Sequence, residues 1–559
     1  MPLKPKQVRL LTGVGLALLT LFTRLPFHAK TFFEFDSIDF AVATFRFSLE
    51  HVTPHMPGYI GHILLGRFLT QFTSDINSAF VWLSTTLSII SVLHMWRAGA
   101  QLRGERVGLI AAVLWLFTPL FWFYGEVATA YIHEALFASA VLYLSLKLLR
   151  EPSSKWLLPM LAITLSISGS MRQNSILFFT PVILYVVWKT RQPWPGVIVA
   201  LTLFAATTIG WVSILLSESG GLDTYLFYAS KESIFRSQSV LFGNALGVHA
   251  AVIGKMLFYL VVSIWPLIIL GVIYLLNRQR RLVEISDGVP IGGYLVLALT
   301  AIVPFAFYLL IYFMKAGYLL NVIPSIVLLG AVVIDELAIA HAKRRKAQDN
   351  FGLTRRYITR HAIILTGAVV AVNILWFTLE LPGKEHRLFV DGFTAVSFGN
   401  DLSDRVKMGS PTDRLLNRAF AYTSSQGISA VDKINFDVLE ALRPIKPGTV
   451  LLDTWWSRWG YIYRPDLVIY DVITGTDELT MGRSQQYDRV PEPSKVIELR
   501  DARDFVILIR PDHPDRQGIS QQAEFLPLDP WIGVHKLYLL SDSIRWKDRT
   551  FRFGDKLRR

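Results

Sequence analysis

Acidic residues lie close together near the start of the chain, in a segment that connects two apolar stretches. This first loop, residues 29–77, contains the run Phe33-Glu34-Phe35-Asp36-Ser37-Ile38-Asp39-Phe40-Ala41. A carboxylate beside aromatic side chains at the end of a membrane helix is partly desolvated, which raises its pKa and suits it to accept a proton. Asp36 and Asp39 are therefore candidate catalytic residues. As alternatives, they are solvated loop carboxylates, or they cap a helix that begins near Phe40.

The second part of the first loop adds histidines and an apolar–basic pattern. It contains the run Pro54-His55-Met56-Pro57-Gly58-Tyr59. His51 and His55, together with either first-loop aspartate, form a set of side chains that can ligate a metal ion. The two prolines argue against a helix at the histidines, which weakens this alternative. The segment Pro57–Phe72 predicts either a helix that lies on the membrane surface or one that packs on the helix bundle.

A second group of ionisable residues follows a later apolar stretch. It consists of Tyr124-Gly125-Glu126 and then Tyr131, His133 and Glu134. Ionisable residues at a membrane boundary are costly, so they are candidates for function. Glu126 and Glu134 are eight positions apart and would share one face if the stretch were helical. We take Glu126 as a candidate substrate-binding residue; the alternative is an ion-paired structural role.

Two isolated cations lie between apolar stretches further along the chain. Arg172 lies in Gly169-Ser170-Met171-Arg172-Gln173-Asn174, and Lys315 lies in Lys315-Ala316-Gly317-Tyr318. A guanidinium presents a bidentate fork to phosphate or carboxylate, whereas an ammonium acts as a point charge. Arg172, Gln173, Lys315 and Tyr318 are therefore candidate residues for binding a phosphate group. As alternatives, the arginine pairs with a helix-end carboxylate and the lysine anchors the membrane interface.

Membrane helices must position these loops, because the composition is that of a membrane protein. The chain has 559 residues, of which 52% are hydrophobic and 18% charged, with a mean hydropathy of +0.40; a soluble domain has roughly 25% charged residues. The absence of cysteine excludes disulfides, thiolate metal sites and a thiol nucleophile. We predict about 11 spanning helices, near residues 8–28, 78–96, 107–124, 132–149, 156–171, 175–189, 195–216, 251–276, 291–313, 317–340 and 361–380.

The net charge of +13 is concentrated in alternate loops of this membrane region. Basic residues are retained on the cytoplasmic side of membrane proteins, so the N-terminus is predicted to be cytoplasmic and the first loop to lie outside. The excess charge then faces anionic lipid, and no nucleic-acid partner is predicted. Nucleotide binding is not predicted either, since no Walker motif or strand-linked GxGxxG occurs. The basic residues of the cytoplasmic side are Lys4, Lys6, Arg9, Arg97, Arg103, Arg106, Lys147, Arg150, Lys155, Lys189, Arg191, Arg278, Arg280, Arg281, Lys343, Arg344, Arg345, Lys346, Arg355, Arg356 and Arg360.

The composition changes after residue 380, where charges become frequent and apolar runs short. We predict a membrane domain over residues 1–380 and a soluble extracytoplasmic α/β domain over residues 381–559, which is large enough to fold alone. Asp432–Leu442 has a helical pattern. Aromatic residues in the region form either its core or a platform on which a sugar stacks; they are Trp455, Trp456, Trp459, Tyr461 and Tyr463. The candidate strands are Thr449–Asp453, Leu467–Asp471, Lys495–Leu499, Asp504–Ile509 and Val534–Leu540.

The loop motifs resemble those of polytopic membrane glycosyltransferases of the GT-C class. Bacterial members of that class with Asp-Ser-x-Asn-Phe-Ala and His-Pro-Pro-Gly-Tyr-Pro motifs are the most similar. Protein O-mannosyltransferases and the aminoarabinose transferase of lipid A are more distant. The resemblance extends over about residues 8–340. It rests on Asp36-Ser37-Ile38-Asp39-Phe40-Ala41, His55-Met56-Pro57-Gly58-Tyr59, Tyr124-Gly125-Glu126 and Arg172-Gln173-Asn174.

The resemblance implies a polyprenyl-phosphate sugar donor, a glycan, lipid or protein acceptor, and reaction at the outer face of a bacterial inner membrane. It implies that Asp36 is the catalytic base in a direct displacement that inverts the anomeric carbon. His55 and Tyr59 join the candidate binding residues on the same basis. Arg172, Lys315 or a divalent metal ion would stabilise the departing phosphate. No other cofactor is implied.

Four positions depart from the motifs of the resembling families. Asp39 stands where close relatives often have Asn, and Ser37 stands where the protein O-mannosyltransferases have Glu. Met56 and Ile60 replace prolines. These departures bear on the identity of the sugar and the acceptor rather than on the fold.

Two other classes of function compete with the transferase. A transporter or a flippase for lipid-linked sugars would place polar sites near the bilayer midplane, often within internal repeats. Here the polar clusters lie at helix ends, and no repeat is visible in the sequence. A non-catalytic assembly or sensor protein would instead use the C-terminal region as a binding module.

Overall fold

The fold is described from a computed structural model of the protein. It describes residues 4–236, 246–278, 290–311, 313, 315–345, 351–384, 388, 411–453, 457–471, 476–477, 496–499, 505–509, 516–529, 534–539, 543–546 and 549–553. Several predicted features lie outside these residues. They include Trp455 and Trp456, the strand residues Lys495, Asp504 and Leu540, and the loop residues Arg280, Arg281 and Lys346.

Helices dominate the first three quarters of the chain and continue into its last part. Short 3₁₀ turns occur at Leu25–Phe27 and Ala316–Asn321. The α-helices are α1 (Pro5–Arg24), α2 (Phe35–Phe45), α3 (Ile60–Leu69), α4 (Ile76–Arg103), α5 (Glu105–Leu116), α6 (Pro119–Tyr124), α7 (Ile132–Arg150), α8 (Leu157–Met171), α9 (Asn174–Thr190), α10 (Trp194–Glu218), α11 (Leu222–Arg236), α12 (Leu246–Arg278), α13 (Gly293–Leu310), α14 (Ile323–Arg345), α15 (Phe351–Thr378), α16 (Pro411–Ala421), α17 (Ser425–Leu442), α18 (Ser457–Tyr463) and α19 (Arg516–Ser520).

Strands occur only after residue 449 among the described residues. The five predicted strands agree with the structure to within one residue at each end, and four further strands were not predicted. The nine are β1 (Val450–Asp453), β2 (Val468–Asp471), β3 (Thr476–Asp477), β4 (Val496–Leu499), β5 (Phe505–Leu508), β6 (Ala523–Asp529), β7 (Val534–Leu539), β8 (Ser543–Trp546) and β9 (Arg549–Phe553).

Eight helices in the described part of the chain are long and apolar enough to cross a membrane. Three shorter apolar helices, α3, α8 and α9, accompany them. The predicted fold class, a polytopic helical membrane protein with a C-terminal α/β region, is therefore confirmed. The number of spans differs: about 11 were predicted, and eight long apolar helices occur among the described residues. One reason is that the predicted span 107–124 is divided into α5 and α6. Pro119 lies in the first turn of α6, where its missing N–H costs no hydrogen bond, and it ends the preceding helix.

Small residues allow the central helices to pack closely. Gly104 has a φ of 99°, which an L side chain rarely adopts, and it joins α4 to α5 in a tight turn. A Cβ added at Gly99 of α4 would lie 2.7 Å from the Cα of Gly108 in α5. Close backbone approach through glycine is the usual way in which membrane helices associate. Any larger residue at these two glycines would separate α4 from α5.

The described chain divides into two compact units. The helical unit comprises Met1–Ala29, Tyr59–Ile214 and Ile234–Ser429. The mixed unit comprises Lys30–Gly58, Leu215–Ser233 and Ala430–Arg559. The part of the first loop that carries both aspartates therefore belongs to the same unit as the C-terminal residues, which a simple division at residue 380 does not anticipate.

The mixed unit is built on a six-stranded sheet in the order β3-β2-β1-β5-β7-β6. β1 pairs in parallel with β2 and with β5, and β7 pairs antiparallel with β5 and β6. The central strands are continuous apolar runs, Val450–Leu452 and Val506–Leu508, and all six residues are at most 2% exposed. Such runs are typical of strands that are covered on both faces. A second sheet has the order β4-β9-β8.

Candidate active site

The first-loop aspartates lie at the start of a helix. α2 begins at Phe35, so Asp36 lies in its first turn, where the positive end of the helix dipole stabilises a carboxylate. Asp39 follows three residues later, hence on the same side of the helix, and is 2% exposed. Neither aspartate is the N-cap residue, which is Glu34. The structure thus holds both carboxylates on one short, rigid element.

The two motifs of the first loop converge in the mixed unit. A carboxylate oxygen of Asp36, a carboxylate oxygen of Asp39 and a ring nitrogen of His55 all lie within 4.8 Å of one another. The imidazole of His55 also packs on Phe40, with 5.5 Å between the ring centroids. His51 is not a member of this set, and its Nδ1 forms a hydrogen bond with the hydroxyl of Ser48, at a distance of 2.7 Å. Of the predicted metal-ligand candidates, the structure groups both aspartates with His55 and not with His51.

This group of three side chains also fits a divalent cation. Two carboxylates and an imidazole are ligand types that suit Mn²⁺, Zn²⁺ or Mg²⁺, and their spacing allows one ion to contact all three. The same spacing suits a base whose partner carboxylate and imidazole orient it. The three side chains could therefore serve either as ligands of a metal ion or as a general base with two orienting partners.

The second motif is fixed by its own small core. Leu49, Val52 and Met56 are buried together with Tyr228, which comes from the segment 215–233. Met56, one of the departures from the resembling families, thus fills an apolar position. Gly58 has a φ of 98°, and a Cβ there would lie 2.6 Å from Leu215. The contribution of residues 215–233 could not be seen in the sequence, because nothing in its pattern links it to residue 56.

A second polar cluster lies in the helical unit around Arg172. Its Nη1 donates a hydrogen bond to Oε1 of Glu134 at 2.8 Å, and both side chains are nearly inaccessible, at 6% and 3% exposure. The guanidinium carbon lies 3.8 Å from the ring centroid of Tyr318. Asn321 donates to Oε2 of Glu134 and to the hydroxyl of Tyr308. This network joins α7, the α8–α9 junction and the 3₁₀ turn.

The charge of Arg172 is retained within this network. Burial by itself lowers the pKa of Arg172, but attraction to Tyr318, Tyr308 and Glu134 outweighs burial and holds the pKa well above its usual range. Tyr59 contributes to the same electrostatic effect. Tyr59 has a left-handed backbone with a φ of 42° and is 5% exposed. A strained non-glycine residue of this kind is often found at a functional site.

The Lys315–Tyr318 segment packs tightly against α6 and α7. The hydroxyl of Tyr124 accepts a hydrogen bond from the backbone N–H of Gly317 at 3.0 Å. A Cβ at Gly317 would lie 2.5 and 2.6 Å from Cγ and Cβ of Tyr131. Lys315 is 7% exposed. The predicted residues Arg172 and Tyr318 are thus in direct contact, and Gly317 explains how the backbone between Lys315 and Tyr318 approaches so closely.

Glu126 is not a member of the Arg172 cluster. It lies in the turn between α6 and α7, so the helical continuity that would align it with Glu134 does not exist. Glu126 is fully buried, and burial raises its pKa well above the usual range, opposed by the positive charge of Arg24 and by Trp122. Its backbone carbonyl accepts from the N–H of Ala29 at 3.0 Å. The carboxylate that contacts Arg172 is that of Glu134. In the sequence Glu134 belongs to the same group of ionisable residues, but only Glu126 is taken there as a candidate.

The remaining candidate, Gln173, is half-buried and precedes α9 as its N-cap residue. Sequence reasoning missed Asn321 and Tyr308, since both lie inside apolar runs where a polar side chain gives no pattern. It also assigned no role to Asp432. A single buried polar residue within a membrane helix is the signal that could have identified Asn321.

Known proteins match the chain in part of its sequence and over most of its fold. Residues 59–211 match the family model of dolichyl-phosphate-mannose-protein mannosyltransferases. ArnT from Cupriavidus metallidurans bound to undecaprenyl phosphate superposes with a TM-score of 0.59 at 13% identity, covering 96% of this chain and 98% of that one. The apo state of the same protein gives a TM-score of 0.56 at 12% identity, with the same coverage. No curated protein sequence matches the chain.

These matches confirm the resemblance to the GT-C class. The chain has the fold of a GT-C membrane glycosyltransferase over nearly its full length, and the family match covers the segment that carries Tyr59, Glu126 and Arg172. The predicted GT-C-like architecture and the multi-pass membrane character are therefore confirmed.

Proposed function

We propose that this protein is a membrane glycosyltransferase that moves a sugar from a polyprenyl phosphate to the hydroxyl of an envelope glycan, lipid or protein. The reaction would take place at the outer face of a bacterial inner membrane, with the C-terminal domain on the same side. One observation carries the proposal: in a chain of GT-C fold, two separate motifs bring Asp36, Asp39 and His55 within 4.8 Å. The undecaprenyl phosphate bound to ArnT, which has this fold, supports a lipid-phosphate donor.

Asp36 would act as the general base. Its carboxylate takes the proton from the acceptor hydroxyl while the oxygen attacks the anomeric carbon of the sugar. The bond from that carbon to the phosphate oxygen breaks, and its electron pair leaves with the polyprenyl phosphate. A single displacement by a base-activated hydroxyl inverts the anomeric centre, through a transition state with oxocarbenium character. Asp39 and His55 would orient Asp36 and the acceptor.

Arg172 would stabilise the charge on the departing phosphate, with Lys315 as a second cation. Glu134 and Tyr318 hold the guanidinium in one orientation. Such preorganised charge is worth most in a site that excludes water. Tyr318, together with Gln173 and Tyr59, would complete the binding of donor and acceptor. If Asp36, Asp39 and His55 bind a divalent cation, that ion would add electrostatic stabilisation of phosphate oxygens.

The experiment has two stages. Deletion of the gene is expected to remove one sugar from an envelope component and to cause its polyprenyl-phosphate donor to accumulate, as measured by mass spectrometry of lipid extracts. The purified full-length protein is then assayed with that donor. Asp36→Asn is expected to lower the transfer rate by about 10²- to 10⁴-fold, the contribution of a general base. Asp223→Asn, an exposed aspartate on α11, is the matched control.

Two results would contradict the proposal. Full transfer activity in Asp36→Asn would exclude Asp36 as the base. An unchanged set of envelope sugars and lipid-linked sugars in the deletion strain would exclude the transferase function itself and favour transport or an assembly role.

A further inference from the structure

The segment that leads into α2 is held by side chains from the C-terminal region of the chain. Within the mixed unit, the carboxylate of Asp432 on α17 accepts hydrogen bonds from the backbone N–H of Lys30, at 3.1 and 2.9 Å, and of Thr31, at 2.7 Å. It also accepts from the hydroxyl of Thr31 at 2.7 Å. That hydroxyl in turn accepts from the amide of Asn435 at 2.9 Å. Asp432 therefore binds two successive residues of the first loop.

The next residue of the segment is held from α18. The backbone N–H of Phe32 donates to the hydroxyl of Tyr463 at 3.0 Å. The indole Nε1–H of Trp459 donates to the carbonyl of Phe32 at 2.7 Å. The ring of Trp459, which is fully buried, also lies 4.9 Å from the ring of Phe35, the first residue of α2. Both backbone polar groups of Phe32 are thus satisfied by the C-terminal region.

These hydrogen bonds satisfy backbone groups that a helix or a sheet would otherwise satisfy. Residues Lys30–Glu34 form neither helix nor strand, yet Thr31 and Phe32 are 1% exposed. Buried backbone groups need partners, and here side chains provide them. The partners fix three consecutive residues only four positions before Asp36. The start of α2, and with it the first-turn carboxylate, is therefore determined by residues that lie 401 to 431 positions after their partners in Lys30–Phe32.

We propose that Asp432, Trp459 and Tyr463 are positioning residues that hold Lys30–Phe32 and thereby place Asp36 for catalysis. This inference rests on the proposed role of Asp36 as the base. It assigns a part in the reaction to the C-terminal region, which would otherwise be read as a separate binding module. The aromatic residues Trp459 and Tyr463 then serve as ligands for backbone groups of the first loop rather than as a sugar platform.

The variants are chosen so that each loses one or two hydrogen bonds and little volume. Asp432→Asn places an amide donor opposite the backbone N–H of Lys30, while the amide oxygen can still accept from Thr31. Thr31→Val removes the hydroxyl, whereas Thr31→Ser retains it and is the conservative control. Asp437→Asn is the control on the same helix, because Asp437 is half-buried and pairs only with Lys433 among the described contacts, at 3.1 Å.

Three measurements are made on the full-length protein in detergent. Hydrogen–deuterium exchange of the peptide 30–45 reports whether the segment is held. The affinity for undecaprenyl phosphate reports the lipid-binding site. Transfer kinetics use the lipid-linked sugar that accumulates in the deletion strain. We expect Asp432→Asn and Thr31→Val to exchange faster at Lys30–Phe32 and to lose about 10- to 100-fold in kcat, the effect of a misplaced catalytic group. The donor KM and the undecaprenyl phosphate Kd should change by less than about twofold, because the variants displace the base and leave the contacts that bind the lipid unchanged.

A double-variant cycle separates positioning from general structural support. In an Asp36→Asn background, Asp432→Asn is expected to have no further effect on the residual rate, because it acts through Asp36. Additive losses would overturn the proposal, as would faster exchange with unchanged kcat, or unchanged exchange at Lys30–Phe32. Equal losses in Thr31→Ser and Thr31→Val would overturn it too. If Asp36→Asn alone is fully active, the proposed function fails instead, and the exchange data still show whether the segment is held.

Discussion

The buried pair of Arg172 and Glu134 gives the sharpest test of the site in the helical unit. Arg172→Met keeps the length of the side chain and removes its charge. It removes a charge-assisted hydrogen bond, which contributes about 1.5–3 kcal/mol, and a desolvated cation–π contact with Tyr318, which contributes about 2 kcal/mol. The sum, about 3.5–5 kcal/mol, agrees with the roughly 3–5 kcal/mol that breaking a buried ion pair costs. The share of this cost that belongs to the ion pair arises because Glu134 is left buried as an unpaired charge.

A second substitution should therefore restore much of the stability. In Arg172→Met/Glu134→Gln the carboxylate is replaced by an amide, which can still accept from Asn321 and costs less to bury. We expect the double variant to recover at least half of the lost free energy of unfolding, measured by titration with SDS in mixed micelles. Additive destabilisation by the two substitutions would refute the view that the two charges compensate each other.

Lipid binding distinguishes a structural from a functional role for the same pair. Loss of one charge-assisted contact with phosphate, about 1.5–3 kcal/mol, corresponds to a loss of about 10- to 150-fold in affinity. Both Arg172→Met and the double variant should show this loss for undecaprenyl phosphate, although the double variant is stable. Wild-type affinity in the double variant would mean that Arg172 only supports the fold.

Two further substitutions test the packing and the electrostatics of the helical unit. Gly317→Ala is expected to destabilise the protein by about 1–3 kcal/mol through overpacking against Tyr131. Gly367→Ala is the control and should be neutral or stabilising, because a Cβ added there meets no described atom within 4 Å beyond its own stretch of helix. Equal thermal midpoints for the two variants would contradict this. Burial raises the pKa of Glu126 in the folded protein well above the ordinary 4.5. The stabilising contribution of the neutral acid is therefore complete below pH 4.5. It is lost as the pH rises through the pKa of the folded state. Glu126→Gln mimics the neutral acid at every pH, and its thermal midpoint should exceed that of the wild type increasingly from pH 5 to pH 9; a constant difference across this range would show that Glu126 is ionised in the folded protein.

Local patterns predicted most of the elements and several members of the candidate site. Apolar length identified the membrane helices, and short apolar runs rich in β-branched and aromatic residues located β1, β2 and β5 to within one residue. Arg172 and Tyr318 were both predicted as site residues, because both lie near breaks between apolar stretches, and the structure places them in contact. The division at Pro119 was also visible in principle, because a proline interrupts the apolar stretch there.

Contacts between distant segments could not be predicted. Nothing near Asp432 marks it as a partner of Lys30, because an aspartate on an amphipathic helix is usually solvated. That Glu134 contacts Arg172 while Glu126 lies elsewhere depends on the turn between α6 and α7, which interrupts the helix that would align the two carboxylates. The close approach at Gly317 is likewise a property of three packed segments, and a single glycine in a sequence does not reveal it.

The attachment of Lys30 to Asp432 has a consequence for biosynthesis. The two residues are 402 positions apart, and a ribosome needs roughly 20–80 s to add that many residues at about 5–20 residues per second. During this time the first membrane helix is already made, while the peptide that leads into α2 has no partner for its backbone. A nascent chain would therefore lack the contacts that hold the start of α2, and the activity proposed for Asp36 would require that the last quarter of the chain has been synthesised and folded.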